Sequence, residues 1–123
     1  MTDESRTYEV FNLDDISERF PPDPESVARH RAEILVKSDT LRIVLMTALK
    51  GAILHEHSAP GPITVQPLEG KFTFTIDGEP RQLGVGEIAV VAPGIRHAVH
   101  CDEDGAFLLT IAHMSRKPDP GGN

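Results

Sequence analysis

Between Gly51 and Gly105 a glycine or proline recurs at intervals of about ten residues or fewer. This punctuation most constrains what the chain can fold into, because it suits short strands joined by tight turns. The pattern between the breaks agrees. In "KFTFTIDGEP", Phe72, Phe74 and Ile76 alternate with Lys71, Thr73, Thr75 and Asp77. That is the period of two of a strand with one buried face, and "DGE" is a hairpin-turn signal. "LRIVLMTALK" is apolar and partly β-branched, too short and uniform for an amphipathic helix, and "GAILHEH" continues it. "ITVQPLEG", "RQLGVGEIAVVAPGIRH" and "GAFLLTIAHM" supply further strands. About eight short strands at spacings near ten residues predict an all-β fold, a small sandwich or jelly-roll barrel. No repeat suggests a solenoid.

The ends read differently. Residues 1–23 are polar with scattered Phe11, Leu13, Ile16 and Phe20, an arm with a short strand or helical turn. "FPPDPES" is a breaker cluster. After it, the spacing of Val27, His30, Arg31 and Ile34 predicts a short helix through "ESVARHRAEI". The tail "SRKPDPGGN" reads as disordered. The expected organisation is an N-terminal arm and short helix over 1–38 packing on the barrel, a barrel domain over 39–114, and a disordered tail over 115–123.

A chain of 123 residues is one ordinary domain. Its net charge of −7 argues against nucleic acid and anionic membrane as partners, since both need clustered Lys and Arg. Cys101 is the single cysteine, so no intramolecular disulfide forms. "MTDESRTYEV" lacks the basic and apolar regions of a signal peptide, and "IVLMTAL" is too short to span a bilayer, so a cytoplasmic protein is expected. There is no phosphate loop, GxSxG, CxxC or dinucleotide fingerprint. With Trp absent and one Tyr, an aromatic sugar platform is not expected.

The chemistry concentrates in "LHEHSAPGPITVQPLEG", residues 54–70. Strict alternation puts His55 and His57 on one face of a strand and Glu56 on the other. Two such imidazoles can reach one metal ion at about 2.0–2.2 Å each. In a chain with six histidines the same spacing also arises by chance. Both readings stand on this element alone. A second element, "GEIAVVAPGIRHAV", adds a strand-opening Gly86, a Pro-Gly turn and His97 opening the next strand.

Together the two elements resemble the cupin superfamily over residues 51–112. His55 and His57 match the histidines of the family's first motif, and Gly86, Gly94 and His97 fall at the spacing of its second. "QPLEGKFTFTIDGEPRQLGVGE" is similar to the inter-motif region of small single-domain, RmlC-like cupins. The resemblance implies a double-stranded β-helix in which His55, His57 and His97 point into the barrel. They would bind one divalent transition metal: Fe, Mn, Ni, Zn or Cu. The chain also departs from the family pattern. Ala92 replaces the second motif's proline, Pro93 sits one place later, and Gly51 stands closer to His55 than in the family. Ile63 occupies the place of the usual acidic ligand, and an aliphatic side chain cannot ligate metal. Gln66 is the nearest oxygen donor, though alternation places it off the face of Ile63, Val65 and Pro67, and a bulge beside Pro67 would be needed to bring it in. Cys101 shares the face of His97 and Val99, as a pocket-lining residue or a small buried apolar one.

Other residues are weighed by the same alternation. His100 should point away from His97, and His113 should share a face with Phe107, Leu109 and Ile111. His30 is expected on a solvated helix face and Glu56 outside the barrel. Arg42 and Arg81 could bind a substrate carboxylate if they face inward; otherwise they are surface residues. Two functional readings remain. One is a metal-dependent dioxygenase or isomerase-type enzyme acting on a small organic anion, with catalytic residues unassigned. The other is a non-catalytic module that binds a small ligand or dimerises, with a vestigial metal site. A homodimer is expected, and "LRIVLMTAL", aliphatic on both faces, is its candidate interface.

Overall fold

In the computed structural model, which describes residues 8–113, the punctuated stretches become strands. Helix α1 (Leu13–Arg19) precedes β1 (His30–Lys37), β2 (Leu41–Ala48), β3 (Ile53–His57), β4 (Ile63–Ile76), β5 (Glu79–Gly84), β6 (Ala89–Val91) and β7 (His97–Ala112). Every pairing is antiparallel. Asp77 and Gly78 join β4 to β5 with φ of 52° and 82°, the two positive values that a type I′ hairpin turn requires.

The strands number fewer than the breaks suggest because β4 and β7 each run through a glycine. Gly70, with φ of +79°, and Gly105 face one another where the β4–β7 register slips between Pro67 and Phe72. A Cβ on Gly105 would run into the Glu69 carbonyl, and one on Gly70 into the carbonyls of Glu103 and Asp104. The bare backbones approach closely enough for both strands to bend together. Each long strand therefore serves two sheets. The first half of β4 pairs with the end of β7 and with β6, and β2 and β1 extend that sheet. The second half of β4 pairs with the start of β7 and with β5, while β3 adds to β7 on the other side.

The inward faces meet in one apolar core. Phe107 lies edge-on to Phe72 and Phe74, at ring-centre distances of 5.0 and 5.5 Å, joining the two sheets. Val44, Met46, Ile63, Val65, Val91 and Val99 surround them. This is the double-stranded β-helix that the resemblance implies.

Two expectations are corrected. No helix forms over "ESVARHRAEI": the chain turns at 26–29, where the Ser26 Oγ accepts from the Arg29 N–H at 3.1 Å, and His30–Lys37 pairs along β2. Seven ladder pairs with β2 outweigh a helical spacing of apolar residues that had no face to bury, Val27 being fully exposed. The outer face of β2 is not free either. Leu45 is 1% exposed, packed with Ile16 of α1 and with Phe11, Leu13 and Phe20. The helical turn expected in the arm is α1, capped by Asn12, whose Oδ1 accepts from the Asp15 N–H at 2.9 Å. The predicted tail, 115–123, lies outside the described residues. No helix among the described residues is long and apolar enough to cross a membrane.

Candidate ligand and metal site at the barrel end

Two loops cross the barrel end opposite the Gly70–Gly105 bends. One, 58–62, leads from His57 to β4; the other, 92–96, leads from β6 to His97. They are tied together by the Gly94 N–H, which donates to the Ala59 carbonyl at 2.8 Å. A histidine thus stands where each loop meets the sheet formed by β3, β7, β4 and β5.

His57 and His97 are directly opposite in register, and their Nε2 atoms lie 3.1 Å apart. Each Nδ1 has a backbone carbonyl at 3.0 Å, His55 for His57 and Ile95 for His97. A carbonyl only accepts, so each Nδ1 carries the hydrogen, and a neutral ring then presents a bare lone pair at Nε2. Two lone pairs facing one another repel unless a proton or metal ion lies between them. His97 is 5% exposed. Burial lowers its pKa, against the carbonyl of Ile95 and with the help of His57, so the ring is neutral at neutral pH.

The geometry suits a metal. Two imidazole nitrogens each about 2.1 Å from one ion, at tetrahedral or octahedral angles, lie about 3.0–3.4 Å from each other. Carbonyls on the far nitrogens are the usual way a ligating histidine is oriented. Among the described residues, no group of three or more His, Cys, Asp or Glu side chains is placed to hold an ion.

His55 is placed elsewhere. Between Leu54 and His57 the register against β7 slips, so two residues of β3 oppose Ala98 alone. This bulge cancels the alternation on which a shared face for His55 and His57 depends. Leu54 is half-buried, and His57, itself exposed, turns its Nε2 toward the buried His97. His55 is exposed, lining an outer cavity of about 300 Å³ with Val27, Arg29, His30 and Ile53. Glu56 is also outside, paired with Arg96 at 2.9 Å.

The remaining candidates separate cleanly. Ile63 is buried in the core, and Gln66 is exposed, because the bulge falls beyond Pro67. Cys101 shares the inward face but is fully buried among apolar side chains, its thiol donating to the Glu103 carbonyl at 3.0 Å. Burial, with the charges of Asp104 and Asp102, pushes its pKa up to about 11. His100 points outward and bonds Asp102 at 2.8 Å. His113 lies just past β7, its N–H donating to the Thr40 carbonyl. His30 lies on β1, not on a helix, with a buried Nδ1 that has no partner among the described residues. Arg81 is exposed and paired with Glu87. Arg42, half-buried, has a buried Nε with no hydrogen-bond partner among the described residues.

Comparison with known proteins agrees with this architecture. The family model described as "Cupin domain" matches residues 44–113. A conserved protein of unknown function from Streptococcus pyogenes superposes with a TM-score of 0.72 at 26% identity, over 93% of this chain and 91% of that one. An RmlC-like cupin from Shewanella frigidimarina gives 0.66 at 23% identity, over 74% and 80%. A conserved double-stranded β-helix protein from Klebsiella pneumoniae gives 0.73 at 21%, over 91% and 89%. No curated protein sequence matches the chain.

Proposed function

Since the chain belongs to the cupin family, we propose that it is a small-ligand-binding barrel with one divalent transition metal held at its open end by His57 and His97. The observation that carries this reading is the pair of Nε2 lone pairs 3.1 Å apart, each fixed by a carbonyl behind it. Two protein nitrogens leave several coordination positions for water and for donor atoms of a ligand. A bound divalent ion would supply Lewis-acid chemistry to an oxygen of that ligand. No carboxylate or thiol joins the pair among the described residues, so no general acid or base is assigned and the reading stops at binding.

The test is metal analysis of untagged protein with the His57→Ala and His97→Ala variants. The expected result is about one equivalent of transition metal in the wild type and loss in either variant. Wild-type protein that neither carries nor takes up Fe, Mn, Ni, Zn or Cu would sink the reading. His55→Ala separates this two-histidine centre from a three-histidine one, since it should retain the metal. The same reading takes in a homodimer. Its support is β1, which stands at the end of the sheet order and carries Ile34, 48% exposed.

A further inference from the structure

Arg42 faces the barrel interior on two independent grounds. Its strand neighbours two and four residues on, Val44 and Met46, are core residues, and strands alternate. Its partner across the ladder is Ile111, which packs against the same core, and directly opposed residues share a face. The position along the barrel is equally defined. Ile111 also pairs with Ile63, and Ile63 with Val91, the residues on which loops 58–62 and 92–96 end or begin. Those loops start or finish at His57 and His97. Arg42 and the histidine pair therefore stand at the same end, on opposed sheets roughly 10 Å apart.

A guanidinium there is out of place unless something meets it. Val44 and Ile111, its neighbours along and across the ladder on that face, belong to or pack on the apolar core; the side chain is half-buried, and its Nε is buried with no hydrogen-bond partner among the described residues. None of the ion pairs among the described residues involves Arg42. An inward cation on an apolar wall costs free energy unless an anion pairs with it. We propose that the ligand of this barrel end is a small organic carboxylate, its two oxygens held by the fork of Arg42 and its other end reaching His57 and His97. This rests on the reading of the barrel end as a ligand site and names the class of that ligand. Nε–H with one Nη–H is a planar fork that matches a carboxylate. Lys37 pairs with Arg42 across the β1–β2 ladder and shares its face, but only the Arg42 fork presents the planar pair of donors that a carboxylate matches better than a phosphate. In a chain of net charge −7, this local cation is what would draw an anion in.

The test is an amide-shift NMR titration of the full chain, with zinc and without, using lactate, benzoate and malonate. Methyl phosphate serves as the phosphate arm and benzamide as the neutral control. At least one carboxylate should saturate, with shifts centred on residues 42, 63, 97 and 111, and benzamide should not. Arg42→Met should weaken that carboxylate at least tenfold. Arg42→Lys, which keeps the charge and loses the fork, should weaken it by a smaller factor and carries the test if Arg42→Met does not fold. Zinc uptake, scored separately, should be the same in all three proteins. The proposal is overturned if no carboxylate saturates, if neither variant changes the affinity, or if benzamide or methyl phosphate binds as well. Carboxylate binding that depends on Arg42 in a protein that takes up no zinc would uphold the carboxylate site and defeat the metal reading alone.

Discussion

At the scale of single residues, environment divides side chains that the sequence presents as equals. His97 and His100 lie three apart on β7, yet one faces its counterpart across the barrel end and the other bonds Asp102 outside. Asp102 also accepts from the Thr73 hydroxyl at 2.6 Å and from Gln82 at 3.1 Å. Burial alone would raise its pKa, but the bonds from Thr73, Gln82 and His100 outweigh it and hold the carboxyl below the usual range. A carboxyl lowered on folding stabilises the native state above its unfolded pKa of about 3.9, and that stability fades as pH falls through the folded value. Asp102→Asn should therefore be less stable than wild type in urea at pH 6, with the gap closing toward pH 3; a gap independent of pH would refute the assignment. Cys101 gives a second prediction. With a pKa near 11, against about 8.5 when exposed, thiolate at pH 8 is on the order of a hundredfold scarcer. Native protein should react with a maleimide or iodoacetamide at least that much more slowly than protein unfolded in urea, and equal rates would place the thiol outside the core. The inward face of Cys101 was legible from alternation. Its inertness depends on burial and on two carboxylates brought near by folding, which no local pattern encodes.

At the scale of elements, the sequence announces strands better than where they bend. Alternation in "KFTFTI" and the Asp77–Gly78 turn were legible because both are local. That Gly70 and Gly105 are not strand ends but crossing points was hidden, because each glycine matters through the other strand's carbonyls. This gives a sharp comparison. Gly105→Ala forces a Cβ into the Glu69 carbonyl at the centre of the bend, whereas a Cβ at Gly51 meets nothing within 4 Å and pays only for a φ of +91°. Gly51→Ala should cost about 1–2 kcal/mol and Gly105→Ala about 4 kcal/mol or more, read as urea midpoints. Equal costs would mean the two long strands do not touch as described. The bulge in β3 was hidden for the same reason. His55–Glu56–His57 reads as an alternating triplet, and only the pairing of Leu54 with Val99 and His57 with His97 shows the extra residue. One inserted position puts His55 against the outer cavity with Val27 and His30, while the Nε2 of His57 meets that of His97. The β1 strand was missed for a related cause: its ladder with β2 is a long-range fact, and its apolar spacing mimics a helix.

At the scale of the whole molecule, the arm and the sheet edge decide what surface is left for a second copy. The sequence offers "LRIVLMTAL" as apolar on both faces, and it is, but the chain covers its own outer face with α1, Phe11 and Phe20. What remains is β1, which stands at the end of the sheet order and carries the half-exposed Ile34, paired with Val44 of β2. Open edges with exposed aliphatics invite a further strand. A second copy aligned antiparallel to β1 would continue the sheet across a two-fold axis and cover Ile34. An inward-pointing charge is the device that blocks such pairing while sparing the core. Ile34→Lys should therefore convert a dimer to a monomer in size-exclusion light scattering without changing its far-ultraviolet circular dichroism. Leu45→Lys should instead unfold the protein, because Leu45 is buried within one chain. A dimer that survives Ile34→Lys would move the interface off β1. Because the His57–His97 pair and Arg42 belong to one chain's barrel end, the Ile34→Lys monomer should still bind metal and carboxylate with unchanged affinity, which separates assembly from the site.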